Sequence, residues 1–334
     1  MAQLDKDYRD LISDIRLNGV EKHTRAGDTL SVFGRTIRHK LSDGFPLLTL
    51  RKLYYRGIFH ELLWFLKGDT NIKYLVDNNV HIWDADAYRF YKERFGEQKY
   101  PLESMNEFLL AVCRGEKEGD YVYGDLGPVY GRQWRNWNGI DQIRQIIETL
   151  KTDPDNRRLL CVAYNPSQIA DMALPPCHVM FQFYTRELNN AERNMWMVLN
   201  KPELNFKPNL YSDKELDQKG IPRRALSIMW TQRSVDTMLG LPFNIASYAL
   251  LCCMVAHCCN MAPDEVIGSL GDTHIYKNQF GAVDELLERD YTKFKLPKLV
   301  IRPTVKDIDE FKFEDFELKG YESYPKLSIP LSVG

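Results

Sequence analysis

The chain lacks a surplus of either charge: 44 basic side chains stand against 46 acidic ones, a formal −2 at neutral pH. That excludes a generally cationic nucleic-acid coat, and no nucleic-acid partner is expected. It also lacks an apolar run long enough to span a bilayer. The most apolar stretch, 245–256, includes Ser247 and Tyr248 and predicts a buried helix. The first residues, MAQLDKDYRDLISDI, carry acids where a secretory signal needs a basic region and then an apolar one, which points to the cytoplasm. Cysteines are few and badly spaced for cross-linking: there are seven, an odd number, and Cys252, Cys253, Cys258 and Cys259 crowd one apolar segment. No disulfide framework is expected. Without CxxC spacing no metal site is expected either, and His257 reads as a packed core histidine.

What is present is ordinary for a folded protein: 44% hydrophobic, 27% charged and 12% aromatic residues over 334 positions. Neither internal repeats nor a linker divides the chain, so a single mixed α+β domain over 1–334 is expected. Leu4, Tyr8, Leu11, Ile12 and Ile15 recur at helical spacing until Gly19. Leu30, Val32 and Ile37 form a strand-like run. GIFHELLWFLK, within 56–67, is apolar nearly all round and predicts a buried helix that Gly68-Asp69 ends. Residues 88–120 are charge-rich and read as a peripheral helical excursion with solvated faces and no chemistry. Ile140, Ile143, Ile146, Ile147 and Leu150 stripe a second amphipathic helix. Strands are expected at 159–164, 178–184 and 225–232, within VIGSLGDTHIY and at KLVIRP, and a long buried helix at 244–259. Residues 186–224, polar and with three prolines, read as a surface insertion.

Several residues stand out chemically. Glu61 lies mid-helix on an all-apolar segment, where an unpaired carboxylate is costly and needs partners or a task. Arg25, Arg157, Arg158 and Arg233 adjoin segments that should pack together, and converging guanidinium forks suit a phosphate dianion. The plainer alternative pairs each with a nearby acid, such as Asp155 with Arg158. Gln232-Arg233-Ser234, read as a strand end, offers amide, guanidinium and hydroxyl in succession. Two prolines fix the backbone just before Cys177, and nearby arginines would lower its pKa; as one of seven cysteines it also reads as a small buried hydrophobe. Asn244, at the expected start of the long helix, is either its cap or an amide able to read a pyrimidine edge. His274 and Tyr276 share one face of an extended segment.

Taken together, RAGDTLSVFG, DGFPLLTLRK, HELLWFLKGDTNIKYL, GDLGPVYGRQWR, DPDNRRLL, LPPCHVMFQFY, QRSVDTMLGLPFNIASYALL and GDTHIYKNQ closely resemble the thymidylate synthase family over nearly the whole chain, apart from 88–120 and 186–224. The resemblance implies an α+β fold with a buried central helix and a β-sheet that forms a homodimer interface. It implies reductive methylation of dUMP to dTMP, with 5,10-methylenetetrahydrofolate as donor of carbon and hydride and no metal. Carried over by position, Cys177 would add to uracil C6. Arg25, Arg233 and Ser234 would hold the phosphate, with Arg157 and Arg158 arriving from the partner subunit. Asn244 would read O4 and N3 of the uracil, His274 and Tyr276 would bind the deoxyribose hydroxyl, Gln232 would join the substrate-binding residues, and Asp236 would accept hydrogen bonds from the pterin while also counting among the substrate-binding residues. Glu61, with Tyr130 and His178 nearby, would run the proton relay. Ile82, Trp83, Leu239, Gly240 and Phe243 would cover the folate, and Arg51 and Lys52 would suit its glutamyl tail. The C-terminal residues would close over the site.

The chain departs from the family pattern at three places. Asp86, in IWDADA, stands where a second tryptophan is common; Glu322-Ser323-Tyr324-Pro325 replaces PHP; and the chain ends SVG, at Gly334. The last two motivate an alternative, a dUMP hydroxymethylase in which water replaces hydride. Asn244 in place of an aspartate argues against a dCMP hydroxymethylase. A nucleotide-binding regulatory protein without catalysis is the non-enzyme alternative.

Overall fold

The computed structural model describes residues 3–95, 102, 104–201, 203–204 and 210–331. Helix α1 (Gln3–Asn18) buries Leu4, Tyr8, Ile12 and Ile15 along the predicted stripe. The hairpin strands β1 (Val20–Thr24) and β2 (Gly27–Lys40) follow. Helices α2 (Tyr55–Leu66) and α3 (Lys73–Asp77) precede the excursion, which comprises α4 (Asp84–Phe95), α5 (Met105–Arg114) and the small pair β3 (Lys117–Glu118) and β4 (Tyr121–Val122). Helices α6 (Tyr130–Arg135) and α7 (Gln142–Thr152) lead to β5 (Leu160–Val162) and β6 (His178–Glu187). The insertion contributes α8 (Asn190–Asn200) and α9 (Asp213–Gln218). Then β7 (Arg224–Asp236), α10 (Gly240–Cys258) and β8 (Ala262–Tyr276) form a crossover unit, closed off by α11 (Phe280–Glu288) and the pair β9 (Lys298–Ile301) and β10 (Phe316–Lys319).

Six strands make one mixed sheet in the order β1-β2-β8-β7-β6-β5, antiparallel throughout except where β7 runs parallel to β8. The α+β expectation therefore holds. Period-two alternation sorts the faces. Leu226, Ile228 and Trp230 of β7 are buried, and Trp230 stacks on Tyr248 of α10 with centroids 5.2 Å apart and planes 9° from parallel. Gly268 of β8 makes room for that indole, since a Cβ there would lie 2.6 Å from it. The opposite face is left uncovered, with Tyr184 and Met229 exposed around a depression of about 520 Å³ that Arg38, Gln182 and Ile267 also line. At 19 residues α10 is long and apolar enough by length and composition to cross a bilayer, contrary to the expectation from its shorter apolar run. Its burial in the centre of the molecule is what makes it a core helix.

Other boundaries move for identifiable reasons. Ile140 lies outside α7 and 46% exposed, paired by its backbone with Trp137. Strand β7 runs on to Asp236 because its ladder with β8 continues through Asp236 opposite His274, so Gln232-Arg233-Ser234 lies inside the strand rather than at its end. The excursion is not merely solvated: Phe90, Tyr91, Phe108, Ala111 and Val112 are buried, packed with Tyr121 and Tyr123. The insertion has a small core of its own, Met197, Tyr211, Leu216 and Ile221. His257 donates from Nε2 to Val305 O (2.8 Å), as a packed histidine should.

One buried carboxylate lies away from the cleft. Asp5 accepts from Thr49 N (3.0 Å) and Thr49 Oγ1 (2.6 Å), and Thr49 O accepts from Tyr324 N (2.9 Å), so it ties α1 to the C-terminal strap. Burial lifts its pKa from 3.8 to about 6 against those hydrogen bonds. Because the folded value lies above the unfolded one, the folded chain binds more protons between them. The group's contribution to stability is fully present below its unfolded pKa and lost as pH rises through about 6. The wild type should therefore lose about 3 kcal/mol relative to Asp5→Asn between pH 4 and 7, from two units at 1.36 kcal/mol each. Parallel denaturant melts across that range check this; a difference that stays constant with pH contradicts it.

Candidate active site

The cleft opens where β6 begins and β7 and β8 end. Cys177 immediately precedes β6, and both of its backbone groups are held: its N–H donates to Tyr130 Oη (2.7 Å) and its carbonyl accepts from Arg233 N (2.8 Å). Arg233 also donates from Nε to Pro176 O and from Nη2 to Pro175 O, each at 2.9 Å. The two prolines supply no N–H, and the arginine of the neighbouring strand satisfies their carbonyls instead. The thiol loop is thus fixed from both sides. Tyr130 reaches it because α6 lies tight against α2: a Cβ on Gly131 would come 2.7 Å from Phe65 O.

The expectation that arginines lower the pKa of Cys177 is corrected. Burial pushes it up and outweighs the opposing charge of Arg233, and the charges of Asp86 and Asp236 add to the rise. Arg157 and Arg158 cannot help within the same chain. Phe183 N donates to Leu159 O, and Leu160 sits opposite Gln182, so Arg158 falls opposite Tyr184, seven positions beyond Cys177 along β6. At about 3.3 Å per residue that is roughly 23 Å. Both arginines are exposed, and neither guanidinium has a partner among the described residues. The Asp155–Arg158 pairing does not form, because Asp155 pairs with Arg224.

Glu61, on α2, accepts from Trp83 Nε1 (2.8 Å). Burial raises its pKa from 4.5 to about 7, opposed by that hydrogen bond. Trp83 in turn packs edge-on to Tyr130 (6.1 Å), which stacks on His178 (4.2 Å). His178 Nδ1 bonds Tyr248 Oη (2.7 Å), and burial depresses its pKa to about 3, so its ring is neutral at physiological pH. Tyr130 and Tyr248 are both held well above the ordinary tyrosine range by burial. A continuous path therefore runs from Glu61 through Trp83 and Tyr130 to the backbone of Cys177.

Asn244 proves not to be a helix cap, since α10 begins at Gly240 and carries it inside its second turn. Its Nδ2 donates to Gln232 Oε1 (3.1 Å), and Gln232 Nε2 donates to Ser234 O (3.0 Å), which leaves Asn244 Oδ1 without a partner among the described residues. Asp236 closes the turn into α10 by accepting from Met238 N (3.0 Å) and Leu239 N (2.9 Å), and burial raises its pKa. His274 lies opposite Asp236 in the ladder, with its ring edge-on to Tyr276 (5.3 Å). Arg25 is exposed in the turn between β1 and β2. That turn lies just beyond the Thr29–Tyr276 pair, so the sheet brings Arg25 to the same end as Arg233, Ser234 and Tyr276. At the rim, Ile82 is 38% exposed beside buried Trp83, and Leu239, Gly240 and Phe243 are half-buried on the first turn of α10. Lys52 is exposed. Arg51 is not: it is 5% exposed, donates to Met238 O (2.6 Å), and its buried Nε has no partner among the described residues.

The sequence reading missed three neighbours. Arg89, in the excursion thought to carry no chemistry, donates to Ala173 O (2.9 Å) and pairs with Asp86 (3.0 Å), bracing the loop that leads to Cys177. Its only signal was its place on the helix that directly follows Trp83. Tyr248 was hidden in an apolar run. Gln279 is fully buried at the end of β8, accepts from Tyr276 N (3.3 Å) and donates to Pro330 O (3.3 Å), linking cleft and C-terminal strap. Tyr324 is anchored in the same strap, while Gly334 lies outside the described residues.

A thiol pinned by its backbone, joined through a tyrosine and an indole to a carboxylate whose pKa burial raises to about 7, is an arrangement that suits nucleophilic and proton-transfer chemistry. The family model described as thymidylate synthase matches residues 6–333. The thymidylate synthase of Malacoplasma penetrans is 42% identical over 332 residues, covering 98% of this chain and all of that protein. That of Mycoplasma mobile is 43% identical over 329 residues, again 98% and all, and that of Aster yellows witches'-broom phytoplasma is 42% identical over 316 residues, 94% and 95%. The chain belongs to the thymidylate synthase family, and its class is that of the methyltransferases.

Proposed function

We propose that this cleft converts dUMP to dTMP with 5,10-methylenetetrahydrofolate as co-substrate, and that Cys177 is the nucleophile. The observation that carries the reading is the pinned Cys177 loop, with Arg233 against it and the Asn244–Gln232 amide pair at the same end of the sheet. Arg25, Arg233 and Ser234 gather donors for a phosphate at one edge. Asn244 can accept the uracil N3–H at Oδ1 and donate to O4 from Nδ2. With the ring so held, the Cys177 thiolate forms a bond to C6, and the electron pair of the C5–C6 double bond moves toward C5 and O4. Asn244 stabilises the charge on O4, which makes C5 nucleophilic.

The rim suits a folate: exposed Ile82 beside Trp83, Leu239 and Phe243 offers apolar cover, and Asp236 and the Arg51 Nε offer polar recognition below it. When bound, that co-substrate supplies the methylene carbon joined to C5 and the hydride that reduces it to methyl. Before that reduction Glu61 takes up the C5 proton, its carboxylate half-ionised near neutrality, and the electron pair left at C5 breaks the bond from the methylene carbon to the folate nitrogen. Hydride addition to the exocyclic methylene then returns an electron pair to the ring, which expels Cys177 from C6 and restores the C5–C6 double bond. The Gln279–Pro330 and Thr49–Tyr324 bonds hold the C-terminal strap where it can exclude water during reduction. Seven free cysteines, four of them on or next to α10, are consistent with a reducing cytoplasm.

The mass of the nucleotide formed from dUMP tests the reading: a methyl product supports it, and a hydroxymethyl product overturns it. The uncovered sheet face around Tyr184 and Met229 fits a second copy of the chain, and the roughly 23 Å between Arg158 and Cys177 in one chain calls for those arginines to act across a dimer. Mixed dimers of Cys177→Ala with Arg158→Ala chains should then regain about half of wild-type activity per site-bearing dimer, because one site is complete when Arg158 is supplied in trans. If Arg158 acts in cis, no site in the mixture is complete and activity stays at the level of the parents.

A further inference from the structure

We propose that Arg224, together with Thr185, is a positioning residue that aims the Arg157–Arg158 pair, an inference that rests on the reading of that pair as phosphate ligands. The two cations are exposed on the segment that leaves α7 for β5 and have no partner among the described residues, so no contact described there fixes their direction. The segment itself is fixed. Arg224 is ion-paired with Asp155, and its Nε and Nη2 lie 3.2 and 3.0 Å from Thr185 Oγ1. Thr185, 5% exposed, passes the bond on by donating to Pro154 O (2.6 Å). One guanidinium therefore grips two consecutive residues, one through a carboxylate and one through a hydroxyl relay.

The turn beyond the grip is closed by its own bonds. Asn156 N donates to Asp153 O (3.1 Å), Asn156 Nδ2 to Asp153 Oδ2 (2.8 Å), and Arg158 N to Asn156 Oδ1 (2.8 Å). Rotation at 154–155 would swing both arginines together, and Arg224 blocks that rotation. The insertion determines where Arg224 starts: Leu188 N donates to Arg223 O (2.9 Å), and Arg223 pairs with Asp217 of α9, which Arg193 of α8 also holds. A stabilising role is a poor account of the grip, because Asp155 is 73% exposed and such ion pairs add little. Aim is a better one, since displacement of a ligand by about 1 Å can cost up to about 10²-fold.

In the full-length enzyme, Arg224→Gln and Thr185→Val should each raise the KM for dUMP about tenfold and the inhibition constant of inorganic phosphate by the same factor. The folate KM should stay unchanged and kcat should stay within about twofold. Arg224→Lys should recover part of the loss. Arg158→Ala is the reference, and adding Arg224→Gln to it should change little further, which a purely structural residue would not do. If Arg158→Ala weakens dUMP and phosphate but neither Arg224→Gln nor Thr185→Val does, the positioning role is overturned. If Arg158→Ala leaves both constants unchanged, the phosphate reading beneath it fails. Should Arg224→Gln not fold, Thr185→Val decides alone, because it removes the relay and keeps the ion pair.

Discussion

Cys177→Ser should abolish dTMP formation, by on the order of 10⁴–10⁶ in kcat, while dUMP binding stays close to wild type. The gap between the two effects follows from where the bonds are. The phosphate donors and the Asn244 amide do not depend on sulfur, and the backbone bonds from Cys177 N to Tyr130 and from Arg233 N to Cys177 O survive the substitution. Serine restores neither the nucleophilicity nor the ease of departure of a thiolate. The same site sets a second expectation. Burial holds the thiol above its ordinary pKa of 9.0, with Arg233 opposing, so alkylation of Cys177 in the free enzyme should be slow at neutral pH and speed up toward alkaline pH. Arg233→Gln removes that opposing charge and should shift the alkylation profile to still higher pH. Equal dUMP affinity with retained turnover in Cys177→Ser would sink the assignment, as would an alkylation rate that ignores Arg233.

Why the cleft was legible in part is a matter of range. Glu61 announced itself because a carboxylate amid apolar residues is anomalous within its own helix, and the structure gives it the indole of Trp83 as a partner. Cys177 was aimed by two adjacent prolines, again a local signal, and Trp230, Phe181 and Phe183 followed the strand alternation. What stayed hidden depends on residues far apart in the chain. Asp155 sits three positions from Arg158, yet it pairs with Arg224, which strand pairing brings close across 69 residues. Asn244 looked like a cap because Asn favours helix starts, but Asp236 closes the turn eight residues earlier, and Pro242 fits inside the first turn. The charge of residues 88–120 masked an aromatic cluster, because charged and buried positions interleave on α4 and α5. The sign of the shift at Cys177 also lay beyond the sequence, since proximity of arginines in the text does not say whether burial outweighs them.

Glu61→Gln should lower kcat by about 10²–10⁴ with little effect on dUMP binding, because the carboxylate acts on a proton and not on the phosphate or the ring edge. The pH dependence carries the stronger test. A group raised to about 7 by burial is half-ionised at neutral pH, and removal of the C5 proton needs its ionised form, so wild-type turnover should climb through about pH 7 on the acid side. In Glu61→Gln that limb should vanish, since no titrating group replaces it: His178 is already neutral there, and the two tyrosines titrate far above. The indole N–H of Trp83 stabilises the carboxylate and pulls its pKa down, so Trp83→Phe should move the limb to higher pH without erasing it. Three profiles thus separate three cases. A limb lost in Glu61→Gln and shifted in Trp83→Phe places the proton step on Glu61 as Trp83 holds it; a limb unchanged in both assigns the step to another group. A limb lost in Glu61→Gln but unmoved in Trp83→Phe would mean that the cleft sets the carboxylate through burial alone, and that the indole serves only to cover the folate.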